Sequence, residues 1–487
     1  MIAADSNSTN IGAIANSPVL WVLALSVLGV ILVQSAVYMV AVRKNAEGAG
    51  MSQHEVYQAF RAGGVAAIGP SLAVVLVAIA LLPLFGTPSI LVRIGLIGSA
   101  ATETASASIA AGTMGANLGD DSYTQSVFIV ALFAMSLSGA CWMISTLILT
   151  PILSRGQDKL TKVNPALMAI VPSAALLAAF AGLTVTELPK SSIHVLAVIV
   201  SAAIMGVCLW VPSNSNKPGC GNGLWASPLS VVSLPPTSRR TEGLAMSKYT
   251  AEQDALFDNY TRTTNRFGRI TLLIGLVIAT SMPFIIMTIS GVEVSAGQVI
   301  TAFIAVAAVY GAFYVVEPLT YFPILGPAGM YQAFLIGNIA NKLVPSAIVA
   351  QHTIEAKPGT RKAAFAATAA ISGAAVVHVL SLLILVGFLG TWIVSITPAS
   401  ITDVARLYIL PSILGGVLVQ LIVTLKSAKS TAIAVAVAFF VVLLVVPNTP
   451  KIVSSFAIAL CVVITVALAW YTRKKADGAE TESSLIN

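Results

Sequence analysis

An all-α polytopic membrane protein is the fold class this sequence predicts, and three observations predict it. Only 9% of its 487 residues are charged and 57% are apolar, whereas about a quarter of the residues of a soluble domain carry charge; its mean hydropathy is +0.91. Apolar runs of on the order of 20 residues, the length that crosses a bilayer core as a helix, recur from Trp21 to Trp470. They lack the alternation of barrel strands, so backbone groups in lipid are satisfied within helices. The third observation is an internal similarity between residues 86–98 and 326–337. It predicts two inverted-topology repeats, each with a re-entrant or broken-helix hairpin, and about 11 full spans.

The N-terminal stretch MIAADSNSTNIGAIANS holds no basic residue, so the first apolar run reads as a retained helix rather than a cleaved signal. Loops rich in Lys and Arg mark the cytoplasmic side. They hold Arg43, Lys44 and Arg61; Arg155, Lys159 and Lys162; Arg262, Arg266 and Arg269; Lys357, Arg361 and Lys362; Lys426 and Lys429; and Arg473, Lys474 and Lys475. Loops around Asp120 and Asp121, Glu187, Glu293, and Pro447 to Pro450 then face outward. Threading helices through this alternation puts the N-terminus outside and the C-terminus in the cytoplasm. Spans fall at 19–42, 62–85, 126–152, 164–185, 191–212, 268–290, 298–320, 363–390, 407–425, 430–447 and 452–471. Residues 213–267 are rich in Pro, Gly, Ser and polar side chains without helical periodicity and are expected to form a cytoplasmic linker. A fresh polar, basic start at Met246 marks a possible fusion junction. The expected organisation is a first membrane half, 1–212, the linker, a second half, 268–472, and a cytoplasmic tail, 473–487.

Two segments do not fit as full spans. If 88–113 and 325–350 crossed completely, the charge alternation would break on either side, and both are rich in Gly, Pro, Ser, Thr and Asn. Each is therefore expected to enter the membrane and return, which is tolerated only inside protein or along a wet cavity. GTPSILVRIGLIG at 86–98 resembles GPAGMYQAFLIG at 326–337, and SLSGACWMISTLIL resembles AISGAAVVHVLSLLIL downstream. Aligning the LIG triplets sets Arg93 on Gln332, Ser99 on Asn338, Thr102 on Asn341 and Glu103 on Lys342. The helices before the two hairpins start on opposite sides, so the repeats are inverted.

Inverted repeats with polar broken segments point to a secondary transporter whose site lies near mid-membrane. Glu103 and Lys342 then offer an anion and a cation to one central site, which suits a zwitterion held with Asn338 and Asn341; alternatively they pair with each other. Ser99, Thr102, Thr104, Ser106 and Ser108 either let helices pack closely or supply oxygen ligands to Na⁺. Arg93 and Gln332 could orient substrate, although Arg93 could equally snorkel to the outer interface. Glu317, before the helix-breaking Pro318, is a further coupling carboxylate, and His378 is either a proton shuttle or a hydrogen-bonded packing residue.

The stretches QSAVYMV, AIGPSLAVVLVAIALLPLFGTPSILVRIGLIGSA and TETASASIAAG carry a resemblance. Residues 30–212 resemble an uncharacterised bacterial integral membrane family, a domain of unknown function; residues 246–487 look like a companion membrane protein. The resemblance implies a bacterial inner-membrane location and a two-subunit origin, and no substrate.

The expected function is secondary active transport of a small zwitterionic or anionic metabolite, such as an amino acid or short peptide derivative. Alternating access coupled to Na⁺ or H⁺ would drive it, with the two halves pairing in the lipid bilayer. The alternatives are a channel or passive facilitator, or a non-transport assembly subunit. No G-x-x-x-x-G-K-[ST] or HExxH motif occurs, so neither ATP drive by this chain nor an enzyme of that zinc class is indicated, and no cofactor beyond a coupling ion is expected. Cys141, Cys208, Cys220 and Cys461 lack metal-ligand spacing, and the net charge of +7 reflects loop bias rather than nucleic-acid binding.

Overall fold

The computed structural model describes residues 8–155, 165–210, 249–357, 359–454 and 456–473. There is no strand among the described residues. The short α1 (Ile11–Ala15) precedes α2 (Pro18–Lys44) and α3 (Gln53–Phe85), which a tight turn at Ala46–Ala49 joins. Then come α4 (Ala100–Thr113), α5 (Gln125–Arg155), α6 (Pro165–Glu187) and α7 (Ser192–Trp210). Beyond residue 249 follow α8 (Ala251–Ser290), α9 (Ala296–Ile336), α10 (Val344–Thr353), α11 (Arg361–Ser381), α12 (Ala399–Leu425), α13 (Ala428–Phe440) and α14 (Ala457–Tyr471). Ser52 with Glu55, Thr250 with Gln253 and Ser295 with Gln298 form capping boxes that start α3, α8 and α9, each satisfying backbone donors that the first turn leaves free. Gly291, in the left-handed conformation, closes α8.

Nine helices among the described residues are long and apolar enough to cross a membrane, counting the helical continuations that carry α11 on to Ile396 and α13 on to Asn448. The remaining two predicted spans correspond to shorter apolar helices: the apolar part of α6 is Ser173–Glu187, and α14 is Ala457–Tyr471. The expected eleven long spans are thus nine plus two short ones. Leu76, Ile204 and Phe388 leave 70%, 59% and 71% of their surface uncovered. Broad apolar faces of this kind are costly in water and stable against hydrocarbon, consistent with a multi-pass membrane protein.

The expected linker needs correction. Residues 211–248, including the junction at Met246, lie outside the described residues, as do 474–487 of the tail. Residues 251–267, however, are helical and extend α8. Tyr260 is buried, its ring 3.8 Å from that of Phe365, and its hydroxyl lies 2.8 Å from Thr368 Oγ1. Asp254 pairs with Arg361 at 2.7 Å, and the Arg361 guanidinium also lies over the rings of Tyr249 and Phe257. A helix with so few apolar residues forms because its one apolar face is covered by other helices. Arg361→Ala is expected to lower stability by only about 1 kcal/mol, as exposed ion pairs and cation–π contacts do. It should nonetheless speed trypsin cleavage at Arg262 and Arg266 severalfold, and unchanged cleavage would show that the extension is held by other contacts.

Two groups of helices meet in the fold. In one, α3 lies along α11 and α5 along α9, while α2 packs on α8 and α11. Gln34 Nε2 donates to Thr271 Oγ1 at 2.6 Å and Tyr38 Oη to the Thr264 carbonyl at 2.8 Å, tying α2 to α8. In the other group, α7 packs on α12, and α6 on α13 and α14. The seam between them, where α3 faces α7 and α12, holds the cavity described next.

Candidate functional site

Between α3 and α5 the chain breaks twice. Gly86 (φ 73°, ψ 159°) stops α3, a turn at Thr87–Ser89 and a π-helical stretch, Ile90–Ile97, follow, and the extended Gly98 leads to Ser99, which caps α4. The chain around α9 and α10 has a similar design. Gly326 (φ 65°, ψ 173°) interrupts α9 after Leu325, and the helix resumes to Ile336. Gly337 and the left-handed Asn338 then lead through a π-helical turn, Ile339–Leu343, into α10. Gly86 and Gly326 occupy a backbone region open essentially only to glycine. The two breaks after the LIG triplets touch: the Asn338 N–H donates to the Gly98 carbonyl at 3.1 Å.

Beside this contact lies a cavity of 530 Å³, within the usual range for small-molecule sites. Its tip wall is formed by Ser99, Asn338, Asn341 and Lys342; its side walls by Pro70 and Val74 of α3, Met205 and Cys208 of α7, and Ile413 and Gly416 of α12. Ser99 Oγ accepts from Thr102 N at 3.2 Å and lies 2.7 Å from Thr102 Oγ1. Lys342 is fully buried, and its Nζ and the Asn338 Nδ2 have no hydrogen-bond partner among the described residues.

Glu103 and Lys342 do not pair. Glu103 Oε1 accepts from Arg93 Nη2 at 2.8 Å, inside its own segment, and the same Nη2 donates to the Met135 carbonyl. Arg93 is fully buried instead of snorkelling to an interface. Its guanidinium lies beside Gly139, where a Cβ would stand 2.7 Å from Nη2; the Glu103 carboxylate likewise fills the space a side chain at Gly98 would need. A local partner won over the symmetry mate because an acid in low dielectric takes the nearest cation its segment can deliver.

The other nominated residues are dispersed. Gln332 is buried and donates to Ser35 and Ser372 at 3.2 and 3.0 Å, bridging α2, α9 and α11. His378 is buried with Nδ1 3.1 Å from Ser71 Oγ. Glu317 lies beside Trp142, whose ring also packs on Tyr310 and Tyr314. Thr104 donates to the Ala100 carbonyl at 2.6 Å, as a packed helical hydroxyl does. Ser106 is buried and Ser108 half-buried in α4. Thr102, Ser106, Glu317, Gln332 and His378 are not on the cavity wall.

The sequence reading missed Ser201 and Cys208 of α7 and Ser412 and Gln420 of α12, which line the cavity. Ser412, Gly416 and Gln420 recur every four residues on one face of α12; that small or polar stripe, starting just after Pro411, was the available signal.

Residues 16–220 match DUF5058, a domain of unknown function. No curated protein and no solved structure matches the chain.

Proposed function

We propose that the chain is a secondary active transporter of a small zwitterionic or anionic metabolite, coupled to Na⁺ or H⁺ and working by alternating access in the bacterial inner membrane, not an enzyme. The observation that carries the reading is the meeting of two broken segments, through Asn338 and Gly98, beside a cavity that Lys342 lines. Unwound backbone at membrane depth is tolerated where it lines such a cavity, and transporters place their sites there.

In this reading 88–113 and 325–350 are re-entrant hairpins related by an inverted repeat. The helix contacts support it: exchanging α2 with α8, α3 with α9 and α5 with α11 turns the α3–α11 contact into α9–α5, and the α2–α11 contact into α8–α5, both of which occur. Basic loops place the N-terminus outside and the C-terminus in the cytoplasm. The moving bodies are then not the two chain halves. The group holding both hairpins would rock against α6, α7 and α12 to α14, with the cavity at the seam.

The purified protein, reconstituted in liposomes with an inward Na⁺ or H⁺ gradient, is expected to concentrate at least one member of a radiolabelled panel of amino acids, short peptides and organic acids. Accumulation should collapse when an ionophore removes the gradient. Flux that only equilibrates would make the protein a passive facilitator, and no flux of any member would overturn the reading.

A further inference from the structure

Lys342 is a buried amine in no ion pair among the described residues. None of the described side chains lining the cavity is acidic, and the acid nearest in the repeat alignment, Glu103, is held by Arg93 at 2.8 Å. A buried ammonium is costly unless paired and hydrogen-bonded. Asn338 Nδ2, on a residue 8% exposed, is a second buried donor without a partner at the same wall. Ala100 and Ala101, the first residues of α4, also line it, and the free amides at a helix start favour negative charge. The opposite walls are apolar or neutral: Pro70, Val74, Val77, Ile204 and Ile413 among them.

We infer that the cavity takes a monoanion with an apolar body, a monocarboxylate in chemical class. The carboxylate sits against Lys342, Asn338 and the α4 start, and its hydrocarbon chain lies between α3, α7 and α12. A zwitterion is disfavoured because its ammonium would meet no acid, and a dianion because its second charge would meet no second cation. This inference rests on the proposed cavity being the cargo site, and it narrows the cargo.

The test reads the cavity directly. Cys208 lines it and is an exposed free cysteine, so its alkylation by N-ethylmaleimide in the purified full-length protein, followed by mass spectrometry, reports occupancy. The probes are butanoate, hexanoate and octanoate, with hexanamide, hexylamine, hexanedioate and norleucine as matched neutral, cationic, dianionic and zwitterionic compounds. At least one monocarboxylate is expected to slow alkylation at a concentration tenfold or more below that needed by any matched compound. Lys342→Met should abolish the protection and Lys342→Arg should retain it; should Lys342→Met not fold, the wild-type series decides alone. Protection by norleucine or hexanamide at equal or lower concentration, or no protection by any carboxylate, would overturn the inference. Protection without gradient-driven uptake would instead overturn the transport reading and leave the anion site standing.

Discussion

Replacing Arg93 by methionine is expected to destabilise the protein by about 3–5 kcal/mol, the usual cost of leaving one member of a buried ion pair alone. Both partners are buried, Arg93 completely, and the pair is 2.8 Å long. Its satisfaction is incomplete: Arg93 Nε and Nη1 and Glu103 Oε2 have no hydrogen-bond partner among the described residues. A half-satisfied buried pair contributes less than an apolar replacement of similar volume. The double variant Arg93→Met/Glu103→Leu should therefore regain most of the lost stability, and Glu103→Gln should cost less than Arg93→Met because it keeps an acceptor for the guanidinium. Unfolding by SDS titration in mixed micelles measures all three. A double variant as unstable as Arg93→Met would mean that the guanidinium acts through Met135 and Gly139, not through the acid. Such a result would also reopen Glu103 as a free carboxylate.

How much of this was legible in the sequence depended on whether one residue or a contact carried the information. The long apolar helices were legible because a run of about 20 apolar residues has one solution in lipid. Ser99, Asn338, Asn341 and Lys342 stood out because polar groups are conspicuous in apolar surroundings, and all four line the cavity. Ser412 and Gln420 did not, since isolated small or neutral polar residues in an apolar helix read as packing until a neighbouring helix is known. The pairing of Arg93 with Glu103 was hidden for a different reason. The repeat alignment directed Glu103 toward Lys342, while the turn at Gly98 and Ser99 folds Arg93 back onto it. The helical start of α8 was missed because its stability lies in Phe365 and Arg361, more than a hundred positions away in the chain, not in its own polar composition.

The second large effect falls on glycines whose role no single-residue reading identifies. Where α3 crosses α11, a Cβ at Gly63 would overlap the Cα and carbonyl of Ala370, and one at Gly373 would overlap the Phe60 carbonyl. The backbones touch there, as small residues allow in membrane helices. A methyl at either position meets main chain, which cannot rotate away, so the helices must separate along a contact that also carries the Ser71 to His378 hydrogen bond. Gly63→Ala and Gly373→Ala are each expected to cost about 3 kcal/mol, at the upper end for overpacking. Gly311→Ala in α9 provides the opposite sign, because nothing lies within 4 Å of its Cβ position and alanine is the better helix former by about 1 kcal/mol. The same SDS titration separates the two cases. If all three variants shifted stability in the same direction, helix propensity rather than interhelical approach would govern these sites, and the α3–α11 contact would be looser than its geometry requires. If they diverge, the α3–α11 crossing is a close-packed axis of the group that holds both broken segments. The rocking proposed above would then fall at the seam with α7 and α12, where the facing surfaces are separated by the cavity itself.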